Sequence, residues 1–186
     1  MTVADKLTAS RIIIAPIFYA LIFITGGRAL PALIILWVLF LFAELTDALD
    51  GAAARRMKEV SDFGKLFDPF ADTLMHIIFF FTFTQFGILN PIPFLIILIR
   101  ESSVQFLRNL MLKKKGIAQG ARWLGKTKTV SYFLTCVVTM VSLTMQQFGY
   151  PSLAGGFSLA ANILFVIAAL LSIISFIDYF RVYKRA

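Results

Sequence analysis

Six apolar stretches run through this chain, and each is long enough to cross a lipid bilayer. A membrane-spanning helix needs about 20 largely apolar residues. Backbone groups in lipid must be satisfied within their own segment, which favours helices. The pattern therefore predicts an all-α integral membrane protein with six transmembrane helices. The six stretches cover residues 7–25, 30–55, 63–86, 91–112, 127–148 and 158–179.

Residues that favour turns separate these stretches. They are Gly26-Gly27, Asn90-Pro91, Gly116 and Gly149-Tyr150-Pro151, and such clusters mark connections between helices. The first stretch differs from a cleavable signal peptide, which has a short apolar core and a small-residue cleavage site. We therefore expect it to be retained as a helix.

Composition excludes several other classes of protein. The chain has 186 residues, of which 59% are hydrophobic and 15% are charged, whereas soluble domains are about 25% charged. It is also too apolar for a disordered chain. We expect a single membrane domain over residues 1–186. A lone cysteine, Cys136, cannot form an intrachain disulfide. The net charge of +8 indicates anionic lipids or phosphorylated substrates as partners, and no nucleic acid.

The basic residues predict the orientation in the membrane. They lie at the two termini and in the second and fourth connections, while the other three connections together hold only Arg28. Basic residues are enriched on the cytoplasmic side of membrane proteins. We therefore expect both termini in the cytoplasm. The basic residues of the alternating regions are Lys6, Arg11, Arg55, Arg56, Lys58, Lys65, Lys113, Lys114, Lys115, Arg122, Lys126, Lys128, Arg181, Lys184 and Arg185.

Four aspartates cluster near the cytoplasmic ends of the second and third stretches. Asp47 and Asp50 share one helix face at i,i+3, and Asp68 and Asp72 share another at i,i+4. Carboxylates at membrane depth are costly and repel one another unless a cation neutralises them. Ligand sets made only of oxygen favour Mg²⁺, Mn²⁺ or Ca²⁺ over zinc. The cluster predicts a two-metal site for phosphoryl transfer inside the membrane.

The residues beside the aspartates suit a phosphorylated ligand. Gly64 lies one turn before Asp68, and the run 51–54 consists only of Gly and Ala, so a ligand or helix can approach closely. Arg55 and Arg56 follow at the cytoplasmic edge, where they can contact a phosphate. The alternative is that the carboxylates only pair with nearby basic residues at the membrane interface.

Together these residues form the pattern Asp47-x-x-Asp50-Gly51-x-x-Ala54-Arg55, then eight residues, then Gly64-x-x-x-Asp68-x-x-x-Asp72. The pattern resembles, at every fixed position, the motif of the CDP-alcohol phosphotransferase family. The resemblance implies a six-helix membrane enzyme that transfers a substituted phosphate from a CDP-alcohol to an acceptor hydroxyl and releases CMP.

Within that family, the chain is most similar to the bacterial phosphatidylglycerophosphate synthases. One position departs from their pattern, since Thr73 stands where they usually have Lys, and His76 also differs. The likeness lies in Leu7-Thr8-x-x-Arg11 before Pro16, Asp68-Pro69-x-Ala71-Asp72, Arg100-Glu101, Leu107-Arg108, Gly125-Lys126-x-Lys128-Thr129 and Tyr179.

This resemblance implies CDP-diacylglycerol as the donor and sn-glycerol 3-phosphate as the acceptor, giving phosphatidylglycerophosphate and CMP in phospholipid biosynthesis. It also implies a homodimer in the cytoplasmic (inner) membrane, with its active site facing the cytoplasm. Two Mg²⁺ ions, or Mn²⁺, would be held by Asp47, Asp50, Asp68 and Asp72. Asp72 would be the base, and the CDP group would be framed by Asp50, Gly51, Ala54, Arg55 and Gly64.

The acceptor phosphate needs cations, and several basic residues are candidates. Each could instead be an anchor for lipid headgroups. The identity of the acceptor therefore stays open, and the same chemistry could use inositol phosphate or an archaeal-type lipid donor. An ion-coupled carrier and a non-catalytic scaffold are further alternatives. The candidate cations are Arg11, Arg108, Lys126 and Lys128, with Arg122 beside them.

Other residues allow two interpretations. His76 lies one turn beyond Asp72 and could contact the acceptor, tune Asp72 or simply pack in the core through a hydrogen bond. Glu44 lies one turn before Asp47 and could support the metal site. Arg100 and Glu101 lie in mid-span, but adjacent residues point about 100° apart on a helix, so they need not be partners. Glu101 could pair with a cation near the acceptor or link two helices. The run Phe79–Phe86 is expected to face lipid or a dimer partner.

Overall fold

The computed structural model describes residues 3–27, 29–57, 62–115 and 123–185. These residues form helices and their connecting turns, so the all-helical prediction is confirmed. The described part of the chain contains no strand. The helices are α1 (Val3–Thr25), α2 (Leu30–Met57), α3 (Asp62–Gln85), α4 (Pro91–Lys115), α5 (Trp123–Gln147) and α6 (Pro151–Arg185).

Three segments within the described helices are long and apolar enough to cross a membrane. They are Leu7–Thr25, Thr127–Gln147 and Pro151–Arg181, and a shorter apolar segment covers Leu30–Thr46. The described part of the chain is therefore helical, with three helices that have the length and composition to span a membrane. In α3 and α4, charged residues interrupt the apolar run and lower the mean hydropathy.

Two of the predicted turns follow a well-defined capping geometry. Gly87 and Gly149 have φ angles of 71° and 77°, which glycine adopts without strain. At α3, the amide of Ile88 donates to Phe83 and that of Gly87 to Thr84, at 3.0 Å each. This is the Schellman arrangement, and the end of α5 repeats it. The side chain of Asn90 then caps α4 by accepting a hydrogen bond from the amide of Ile92 at 2.9 Å.

The helices pack in two groups that meet through side chains. Helix α1 lies against α2 and α3, while α6 lies against α4 and α5. Aromatic rings fill the centre: Phe18 packs against Phe79 in a tilted arrangement with centroids 4.6 Å apart, and Phe80 contacts Phe165 of α6 at 4.7 Å. The expectation that the run Phe79–Phe86 faces lipid or a partner is wrong for Phe79, Phe80 and Phe83, which are fully buried. Lipid and core are equally apolar, so composition alone does not separate the two faces.

A buried polar network joins α4, α5 and α6 around Glu101. Its Oε1 accepts hydrogen bonds from Arg100 at 2.9 Å, Lys128 at 2.5 Å and Tyr132 at 2.9 Å. Arg100 also donates to the carbonyl of Ser172 and to the hydroxyl of Ser175. The sequence left open whether adjacent Arg100 and Glu101 are partners, and the structure pairs them. Glu101 both binds a cation and links three helices.

We predict that Glu101→Leu destabilises the protein strongly. The substitution leaves Arg100 and Lys128 buried without their shared counter-charge, which costs about 3–5 kcal/mol. Thermal unfolding in lipid–detergent micelles measures the effect, and Ser102→Ala at the exposed neighbouring position is the matched control. An unchanged unfolding temperature for Glu101→Leu would show that the network does not stabilise the fold.

Candidate active site

Helices α2 and α3 run antiparallel, and two side-chain contacts fix their register. The rings of Phe40 and Phe79 lie 5.8 Å apart. One turn further along α2 and one turn back along α3, Glu44 Oε1 lies 3.4 Å from His76 Nε2. Residue numbers rise on one helix as they fall on the other. Both helices continue from this contact toward the aspartate motif.

The structure describes the side chains of only part of the predicted site. Asp68 and Asp72 are described, as are the candidate cations Arg11, Arg108 and Lys128. The remaining predicted residues belong to described helices, but their side chains lie outside the described set. These are Asp47, Asp50, Gly51, Ala54 and Arg55 on α2, Gly64 on α3 and Lys126 on α5. Arg122 lies outside the described residues.

Helix α1 supplies a polar pair beside Asp68. The Thr8 hydroxyl donates to Asp68 Oδ1 at 2.7 Å and accepts from Arg11 Nη2 at 3.2 Å. Arg11 is completely buried. The sequence indicated Arg11 as a phosphate ligand but gave Thr8 no role. The available signal was their i,i+3 spacing, which puts both side chains on one face of α1.

Asp72 lies where several helices converge. Its side chain is 26% exposed, and its Oδ1 lies 3.1 Å from His76 Nδ1. The positive charges of Lys128 on α5 and Arg11 on α1 both act on its carboxylate. A partly open carboxylate within a cationic surrounding can meet a ligand while keeping its own charge balanced. Asp72 therefore lies within the electrostatic influence of Arg11 and Lys128.

The three described candidate cations differ in their surroundings. Lys128 is buried and its ammonium binds Glu101 and lies 4.6 Å from the Tyr132 ring centroid. Arg11 is buried against Thr8. Arg108 is half-buried, and its guanidinium makes no hydrogen bond or ion pair with the part of the chain that the structure describes; its Nε is buried. Arg108 is therefore the candidate most in need of an external anion.

Gln105 positions this part of α4 against the motif. Its side-chain amide donates to the Pro69 carbonyl at 3.0 Å and lies 3.4 Å from the Thr73 hydroxyl. Thr73, which departs from the usual lysine, thus takes part in a neutral link between α3 and α4. Arg108 follows Gln105 by three residues, so both lie on the same side of α4. Sequence reasoning missed Gln105, which has no distinctive spacing.

The described donors suit a divalent cation only as part of a larger set. Asp72 Oδ1 is buried and accepts no hydrogen bond of good geometry, and Asp68 lies one turn away on the same helix face. Carboxylate oxygens are the ligands that Mg²⁺ and Mn²⁺ prefer. Among the described side chains, no three His, Cys, Asp or Glu residues converge on a metal position. Two of the four predicted aspartates lie outside that set.

Comparison with known proteins agrees with the sequence motif. The family model for CDP-alcohol phosphatidyltransferases matches residues 1–174. The chain is 30% identical to a CDP-diacylglycerol–glycerol-3-phosphate 3-phosphatidyltransferase of Treponema pallidum, over 98% of this chain and 89% of the relative. A Rickettsia felis protein of the same name is 32% identical, over 97% and 94%.

A probable phosphatidylglycerophosphate synthase of Mycobacterium tuberculosis is also similar, with 32% identity over 95% of this chain and 78% of the relative. The match to the family covers the aspartate motif and all of α1 to α5. The resemblance deduced from the motif is therefore confirmed. The chain belongs to the CDP-alcohol phosphatidyltransferase family and is a phosphatidyltransferase enzyme.

Proposed function

We propose that this protein transfers the phosphatidyl group of CDP-diacylglycerol to sn-glycerol 3-phosphate, giving phosphatidylglycerophosphate and CMP. The names of its relatives support this choice of donor and acceptor. The observation that carries the proposal is the antiparallel register of α2 and α3, fixed by Glu44 and His76. Membership of an enzyme family also favours catalysis over the carrier and scaffold alternatives.

The register supports a single site built from both halves of the motif. Continuing the two helices by one turn beyond the contact of Glu44 and His76 brings Asp47 level with Asp72. A further turn brings the backbone near Asp50 level with Asp68. We infer that these four aspartates hold two divalent cations, with Mg²⁺ as the expected metal and Mn²⁺ as a substitute. When bound, the ions neutralise the pyrophosphate and the charge on the departing CMP.

The same register supports a position for the nucleotide. One turn closer to the cytoplasm, Ala54 comes level with Gly64, so two small residues would face each other. A ligand can approach a backbone closely where side chains are small. We infer that Asp50, Gly51, Ala54, Arg55 and Gly64 frame the CDP group, with Arg55 binding a phosphate.

Asp72 is the proposed base. An oxygen of the acceptor hydroxyl forms a bond to the phosphorus that carries the diacylglycerol, and the pyrophosphate bond to CMP breaks. The hydroxyl proton passes to the Asp72 carboxylate, whose side chain is open enough to be reached. A carboxylate is a weak base, so charge stabilisation at the phosphate must supply most of the catalysis.

We infer that the acceptor phosphate binds among Arg11, Arg108, Lys126 and Lys128. After its bond to Glu101, the Lys128 ammonium retains two further donor positions. The electrostatic influence of Lys128 and Arg11 on Asp72 supports a position for the acceptor phosphate near the proposed base. The buried Nε of Arg108 has no hydrogen-bond partner among the described residues.

For the whole molecule, we propose one membrane domain over residues 1–186 with six spans. The alternation of basic residues supports two cytoplasmic termini and an active site that faces the cytoplasm. We propose the cytoplasmic membrane as its location. The proposed homodimer rests only on resemblance to the family.

The proposed reaction predicts that glycerol 3-phosphate drives CMP release from CDP-diacylglycerol in the presence of Mg²⁺. Asp72→Asn should lower kcat by about 10²-fold or more, since it removes both a metal ligand and the base. CMP release in lipid–detergent micelles measures this, and Asp178→Asn on α6 is the control. Turnover with inositol phosphate and none with glycerol 3-phosphate would contradict the proposed acceptor while retaining the chemistry.

A second prediction concerns Arg108. Arg108→Ala should raise KM for glycerol 3-phosphate about 10- to 100-fold, because a charge-assisted hydrogen bond contributes about 1.5–3 kcal/mol. KM for CDP-diacylglycerol should change less than about twofold by the same reasoning. Lys184→Ala, at an exposed cation of α6, is the matched control. An equal rise in both KM values would exclude a specific role in acceptor binding.

A third prediction tests the membrane topology. In a Cys136→Ser background, Gln85→Cys and Gln146→Cys lie near connections expected outside the cell, and Lys184→Cys lies near the cytoplasmic end of α6. A membrane-impermeant maleimide applied to intact cells should label the first two variants only. Labelling of Lys184→Cys before permeabilisation, or of all three alike, would contradict six spans with a cytoplasmic C-terminus.

A further inference from the structure

Resting on the proposed metal site, we propose that His76 is a positioning residue that holds the Asp72 carboxylate in place by bridging it to Glu44 of α2. The structure identifies His76 through contacts on both of its ring nitrogens, and those contacts give the residue a function beyond filling the core.

The first contact is with Asp72 itself. His76 Nδ1 lies 3.0 Å from the Asp72 main-chain carbonyl and 3.1 Å from Asp72 Oδ1. Both of these oxygens are acceptors, and so is Glu44 Oε1 on the other side of the ring, so the bridge has a proton on each ring nitrogen. The hydrogen bond is to the main-chain carbonyl, while the 3.1 Å approach to Oδ1, which is buried and accepts no hydrogen bond of good geometry, is an electrostatic contact that favours the inward orientation of this oxygen. Because the Asp72 side chain as a whole is 26% exposed, the other side of its carboxyl group is the side that a ligand can reach.

The second contact is with the opposite helix. His76 Nε2 lies 3.4 Å from Glu44 Oε1, and the side chains of His76 and Glu44 are only 3% and 14% exposed. The ring is also packed against Tyr132 of α5 at 5.6 Å and Phe80 at 6.3 Å between centroids. Three helices therefore fix the plane of the imidazole.

The bridge lies one turn from the proposed ligands on both helices. Glu44 precedes Asp47 on α2 by three residues, and His76 follows Asp72 on α3 by four. A contact across the two helices at this level limits how far the halves of the site can separate. Hydrogen-bonding partners that orient ligating carboxylates typically change metal affinity about 10- to 100-fold when removed.

The direct test measures Mn²⁺ binding to the purified protein in micelles. Electron paramagnetic resonance monitors the binding, and no substrate is present. His76→Leu should weaken Mn²⁺ binding about 10- to 100-fold. His76→Asn should recover most of the affinity, because its amide nitrogen can take the place of Nδ1 and donate to Asp72. In turnover assays, the Mg²⁺ concentration for half-activation should rise in His76→Leu and return toward the wild-type value in His76→Asn.

A double-substitution cycle tests the bridge to Glu44. Glu44→Leu should weaken Mn²⁺ binding as well, and the pair Glu44→Leu/His76→Leu should be little worse than His76→Leu alone, because both remove one shared interaction. Phe83→Leu is the matched control: it is a buried aromatic residue of the same helix, packed against Phe18 of α1, and it belongs to neither of the contacts that fix the register of α2 and α3. It should lower the unfolding temperature and leave Mn²⁺ affinity unchanged.

The outcomes separate this inference from the proposed metal site. If the wild-type protein binds Mn²⁺ and His76→Leu binds it equally well, His76 is only a packing residue and the inference is wrong. Strict additivity of the two leucine substitutions would overturn the bridge. If the wild-type protein binds no Mn²⁺, the metal site itself is wrong, and the positioning role falls with it.

Discussion

The fold depends on how an apolar bundle tolerates buried charge. An isolated ion in such surroundings is expensive, and a paired one is tolerated only when hydrogen bonds complete its environment. The described structure meets this requirement at two places. Glu101 lies between Arg100 and Lys128 in one half, while the α3 aspartates lie near Arg11 and His76 in the other. These charged clusters determine which helix faces must meet.

The two clusters are joined through α5. Lys128 binds Glu101 directly, and its charge also acts on Asp72. Tyr132, one turn further along α5, donates to Glu101 while its ring packs against His76. The rigid network of α4, α5 and α6 therefore determines where a cation stands relative to the aspartate motif. A substitution in that network would change the reaction rate by moving Lys128, even if the substituted residue does not contact a substrate.

The sequence predicted the helices, the turns and the motif because each has a local physical cause. Length and hydropathy define helices in lipid, and glycine and asparagine define their ends, as at Gly149 and Asn90. The inward faces were harder to predict, since core and lipid are both apolar and the buried Phe80 resembles the exposed Phe81. The pairing of Arg100 with Glu101 could not be predicted either. Adjacent residues point in different directions on a helix, but the long arginine side chain can bend back to reach its neighbour. Thr8 and Gln105 owe their roles to contacts between distant segments.

Thr73 is the position at which the family resemblance leads us to expect a lysine after the last aspartate. Here the Thr73 hydroxyl makes a neutral contact with Gln105. A threonine at this position adds no positive charge near Asp72. Arg11 and Lys128 still supply charge there, and His76 adds a hydrogen-bond donor from the same helix face. His76 is buried and contacts Glu44 of α2, so the direction of its N–H donor is fixed. A flexible lysine would have to lose side-chain entropy to hold a donor in one direction.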